Sequence, residues 1–91
     1  MSVLERLKTI LDLEKVSKRE LSERTNIKES RWITVLAKRG RISGDEIEAL
    51  AVVWPEYAYW LTTGLELPEA GQISPLTKKA HELSKTAQRA G

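Results

Sequence analysis

The sequence predicts an all-α fold: a five-helix domain followed by a C-terminal extension able to form a sixth helix. Three observations carry the prediction. Serine and glutamate stand three residues apart at Ser2/Glu5, Ser17/Glu20 and Ser43/Glu46, the spacing of a capping box at a helix start. Apolar residues recur at helical spacing behind each box. No stretch alternates apolar and polar residues as a half-buried strand would.

The first helix is predicted over residues 3–13, where Val3, Leu4, Leu7, Ile10 and Leu11 make one apolar face. The second covers 18–25. Val16 and Leu21 are placed as a hydrophobic staple around its start, Leu21 points inward, and the small Ser22 allows a neighbouring helix to approach. Asn26 tolerates the left-handed conformation that a sharp helix-to-helix turn demands, and Ile27 anchors that turn. The third helix spans about 29–38 and stops near Gly40, a natural C-terminal cap. The fourth spans 44–53 and buries Ile47, Leu50 and Ala51. Its early acids, Asp45, Glu46 and Glu48, suit the helix dipole and need no metal or acid–base role to explain them. Pro55 opens a short fifth helix with Tyr57, Trp60 and Leu61 on one face, and Gly64 closes it. Residues 65–73 read as a linker containing Pro68 and Gly71. From Pro75 to about residue 88 a last helix carries Leu76, Ala80, Leu83, Ala87 and Ala90, a narrow coiled-coil seam suited to docking on its own domain or on a second copy. The organisation expected is a domain over 1–64 and a linker plus helix over 65–91.

Composition narrows the function. Ninety-one residues fit one domain with little apolar burial to spare. With no cysteine and a single histidine, His81, neither a disulfide framework nor a cluster of soft metal ligands can form, and no metal or cofactor site is expected. No glycine-rich phosphate loop and no catalytic constellation is present, so an enzyme is not expected, nor is a small-molecule ligand. The charged N-terminus lacks an apolar run for a signal peptide or membrane span, which points to a soluble cytoplasmic protein. Charge is segregated. Residues 1–41 hold eleven Lys/Arg against six Asp/Glu, residues 42–70 hold six acids and no Lys or Arg, and residues 71–91 hold four bases against one acid. One end of the molecule would therefore attract a polyanion.

Around the circumference of the third helix, Trp32, Val35 and Leu36 cluster on the core side. Ser30, Thr34 and Ala37 lie opposite, with Arg31 and Lys38 on one edge and Ile33 on the other. Small residues let a helix sit deep in the major groove. There, hydroxyls reach base edges and the Thr34 methyl can touch a thymine methyl.

The segment 17–40, with Leu21, Ser22, Asn26, Ile27, Trp32 and Val35, resembles the helix-turn-helix of the lambda-repressor and Cro-like (XRE-type) regulators. YAYWLTTG at 57–64 looks like the aromatic-Leu-Leu-x-Gly ending of the fifth helix in many phage repressor domains. The resemblance covers about residues 3–64. It implies a phage or prophage regulator that binds double-stranded operator DNA as a homodimer, with half-sites about 34 Å apart. Carried over by position, Glu29, Ser30, Arg31 and Thr34 are the base-contacting candidates. Lys18, Arg19, Lys28, Lys38, Arg39 and Arg41 are the backbone-contacting candidates. Two departures stand out. Glu29 replaces the usual Gln and, as a carboxylate, can only accept, for example from a cytosine amino group. Trp32 is larger than the aliphatic residue usual at its place. The alternative function is a protein-interaction module on the same fold, using the acidic segment 42–70 and the last helix.

Overall fold

The computed structural model describes residues 1–37 and 41–90, with side chains described through Lys85. Among the described residues six α-helices make the architecture: α1 (Val3–Glu14), α2 (Lys18–Thr25), α3 (Glu29–Leu36), α4 (Gly44–Val53), α5 (Ala58–Thr63) and α6 (Pro75–Ala90). Short 3-10 turns at Pro55–Tyr57 and Pro68–Ala70 precede α5 and α6. Among the described residues the only strand-like pairing is an isolated bridge between Leu67 and Gln72.

Each predicted serine caps its helix. The Ser2, Ser17 and Ser43 hydroxyls accept from the backbone N–H of Glu5, Glu20 and Glu46. At Ser43 the box is closed in both directions, with the Glu46 carboxylate accepting from the Ser43 N–H at 2.8 Å. Glu20 instead turns along its helix to Arg24, 2.5 Å away. Lys15 and Asn26 stop α1 and α2 in the left-handed conformation, and Asn26 makes the turn from α2 into α3 as anticipated.

The core is built of Leu7, Ile10, Val16, Leu21, Trp32, Val35, Leu36, Leu50, Trp54, Tyr57, Trp60 and Leu61. The α1 helix lies against α3, α5 and α6, while α2 bridges α3 and α4. Trp32 is fully buried, and its indole N–H donates to the Thr25 hydroxyl at 3.0 Å, so the bulky ring is both packed and satisfied where α2 meets α3. Leu50 is buried as predicted; Ile47 and Ala51 are only partly so, and Glu46 takes the buried place on that face.

One buried cation closes the opposite end of the core. Arg6 is 7% exposed, and its guanidinium donates to the Leu61 carbonyl at 2.8 Å, the Thr62 carbonyl at 3.4 Å and the Met1 carbonyl. It thereby satisfies carbonyls that the end of α5 leaves without helical partners. Gly64 terminates α5 at φ +78°, and a Cβ there would lie 3.1 Å from Arg6 Nη1, so the glycine serves both the turn and the arginine.

The stretch read as a linker is a bonded turn. Gln72 folds its side-chain amide back, accepting from the Tyr59 N–H at 2.9 Å and donating to the Pro55 carbonyl at 2.9 Å, while the Ile73 N–H donates to the Glu56 carbonyl at 3.0 Å. With the residues before it thus seated, α6 is held by Lys78, whose ammonium sits 3.2 Å from Glu56 and 3.4 Å from Glu14 and over the Tyr57 ring. Burial works against the charge on Lys78, but the two carboxylates prevail and its pKa is raised. Beyond this latch residues 79–85 are exposed, including Leu83 at 61%. Ala87 and Ala90 of the predicted seam lie outside the described side chains.

Candidate nucleic-acid interface

The α3 helix meets the core through Trp32, Val35 and Leu36, all buried. On its other side Glu29, Ser30, Ile33 and Ala37 are exposed and Thr34 is half-buried. Ser30, Ile33, Thr34 and Ala37 follow the i, i+3, i+4, i+7 spacing that puts residues on one helical face, a low-profile ridge turned to solvent. The Thr34 hydroxyl donates to the Ser30 carbonyl one turn back at 3.0 Å, so its proton is already used.

Arg31 is the predicted base-contacting residue that is tied to a neighbouring helix. Its guanidinium forks onto Glu46, Nε to Oε2 at 2.5 Å and Nη2 to Oε1 at 3.1 Å, and Nη2 also donates to the Arg41 carbonyl at 2.6 Å. The arginine side chain is 38% exposed, whereas that of Glu46 is only 5% exposed. Arg31's hydrogen bonds hold the Glu46 carboxyl below the usual carboxylate range, aided by Ser43 and opposed by burial. The same carboxylate caps α4 and ties down the start of α3. Helix periodicity gives no signal for this link, since the partners sit fifteen residues apart on different helices.

The predicted backbone contacts are distributed as follows. Lys18 is exposed at the first position of α2, and Arg19 beside it makes a loose pair with Glu23 at 3.7 Å, both strongly exposed. Lys28 is exposed at the cap position of α3, and Arg41 is exposed just before α4. Lys38 and Arg39 lie outside the described residues, as does the predicted cap Gly40. An open groove of about 420 Å³, floored by Leu11, Val16 and Leu36 and edged by Lys8 and Lys18, joins α1 and the start of α2 to the end of α3. Tyr57, predicted on one face of the short fifth helix with Trp60 and Leu61, is a core residue like them. Its hydroxyl donates to Glu14 at 2.5 Å, and burial followed by that carboxylate pushes its pKa up.

Among the described residues no group of three His, Asp or Glu could hold a metal ion, and no helix is long and apolar enough to cross a membrane. No protein-family model and no curated protein matches the chain. A solved structure does: Pf6r from the filamentous phage Pf6 of Pseudomonas aeruginosa PA01 is 35% identical to it over 100% of both chains, with a TM-score of 0.74. The chain belongs to the Pf6r family. The match is full-length, so the resemblance to Pf6r includes α6 and the turn that seats it as well as the helical domain.

Proposed function

We propose that this member of the Pf6r family is a sequence-specific DNA-binding regulator of the lambda-repressor type. In this reading α3 lies in the major groove, with Glu29, Ser30 and Thr34 facing base edges, and the protein works by binding rather than catalysis. The observation that carries the reading is the outward ridge of α3. It is shallow enough to enter a groove and is flanked by the exposed cations Lys18, Lys28 and Arg41 in the half of the chain that is net positive. Kinship with a filamentous-phage protein supports the regulatory part. A homodimer is supported by the exposed Leu76 and Leu83, seven residues apart on α6.

Selection of bound duplexes from a random pool tests the proposal. The expected product is one enriched sequence with two-fold symmetry and half-sites one DNA turn apart. Its binding should weaken steeply with salt, and Lys28→Ala should reduce affinity for operator and scrambled duplex alike. Failure to retain any duplex at low salt would leave the protein-interaction function in its place.

A further inference from the structure

We propose that Ile33 is a specificity-determining residue that reads the 5-methyl groups of thymine in the major groove. The inference rests on the DNA-binding reading above and names the base feature that α3 recognises.

Ile33 is 47% exposed at the middle of α3, three residues from Ser30 and four from Ala37, on the edge of the face turned away from the core. A β-branched apolar side chain there is outside the core and gains no helix propensity. The polar alternatives on the same helix are mostly engaged. Arg31, the sole cation within Glu29–Leu36, is forked onto Glu46 and bonded to the Arg41 carbonyl, and the Thr34 proton goes to Ser30. The helix is thus poorly supplied for the bidentate donor contact that marks guanine. It is well supplied for apolar contact with the methyl group that distinguishes thymine in the major groove, through Ile33 with Ala37 one turn on. Exposed Lys18, Lys28 and Arg41 supply the charge that brings this apolar patch against a polyanion.

The test takes the duplex enriched from the random pool and replaces its thymines one at a time by uracil, which removes the methyl group and leaves the pairing edge unchanged. Wild-type protein should lose about three- to fivefold in affinity at one or two positions per half-site, the factor equivalent to one methyl group kept from water. In Ile33→Ala, whose exposed helical position tolerates alanine, that loss should shrink to less than about twofold at the same positions. Equal binding of every uracil duplex would overturn the proposal, as would an undiminished uracil effect in Ile33→Ala. Either outcome leaves specific DNA binding intact, whereas a pool that yields no enriched sequence refutes sequence-specific DNA binding itself.

Discussion

The ion pair between Arg31 and Glu46 allows opposite predictions for two roles of the same arginine. Glu46→Gln is the informative perturbation because it is nearly isosteric. The glutamine carbonyl can still accept from the Ser43 N–H, so the α4 cap survives, but its amide group meets the Arg31 fork donor against donor and the charge is gone. Arg31 loses its charged partner and the acceptor for Nε, keeping only neutral acceptors for Nη2, while the fold is retained. With the arginine side 38% exposed, water replaces much of what the pair contributes, and Tm should fall by no more than roughly 10 °C.

If Arg31 positions the start of α3, Glu46→Gln and Arg31→Ala each weaken operator binding by a similar factor, of order three- to tenfold, and the double variant is scarcely worse than either. If Arg31 instead grips a guanine, freeing it should leave affinity unchanged or improve it. Arg31→Ala would then cost about ten- to a hundredfold and relax preference at one base pair. Fluorescence anisotropy on the enriched duplex and on single-base variants separates the two. We expect the first pattern, and a tighter-binding Glu46→Gln would refute it.

Three further outcomes follow from the same geometry. Glu46 and Glu66 both titrate below their ordinary value in the folded state, Glu46 through Arg31 and Glu66 through Thr77 and Ser74. Their contribution is therefore complete above the unfolded carboxylate value, about pH 4.3, and is lost as pH falls through the lowered folded values; Tm measured from pH 7 to 3 should drop less steeply in Glu46→Gln than in wild type. Arg6→Met should leave the buried carbonyls at the end of α5 without donors, costing about 1–3 kcal/mol and lowering Tm by roughly 5–20 °C in a calorimetric scan. Tyr57→Phe removes the hydroxyl bond to Glu14 but leaves Lys78 beside that carboxylate, so chemical denaturation should report a loss of about 1 kcal/mol.

What the sequence made legible was local. Serine hydroxyls reaching a backbone N–H three residues on, Asn26 at a left-handed turn, and the inward set Trp32, Val35 and Leu36 are all decided within one or two helical turns, and each is found where residue spacing puts it. The long-range polar contacts were not legible. Arg6 belongs by spacing on the flank of an amphipathic helix, yet it is drawn inside by carbonyls 55 and 56 residues away. Residues 65–73 have the proline and glycine of a linker, but Gln72 satisfies backbone groups in the Pro55–Tyr57 turn and in α5 and converts the stretch into a seat for α6. Such contacts depend on which helix ends meet in space, and no pattern along one helix encodes that.

The Arg31–Glu46 link shows why this difference bears on function. An arginine on the helix that resembles a recognition helix invites a base-reading role, and spacing along α3 does nothing to discourage it. Seen with its partner, the same residue joins the start of α3 to the capped start of α4, through a carboxylate that is itself 5% exposed and already bonded to Ser43. Orientation of the outward ridge is then set partly from α4, in the acidic segment that sequence reasoning kept apart from the DNA-facing half. On the proposed DNA-binding function, discrimination among bases then falls to ridge side chains such as Ile33, since Arg31 is not available for it.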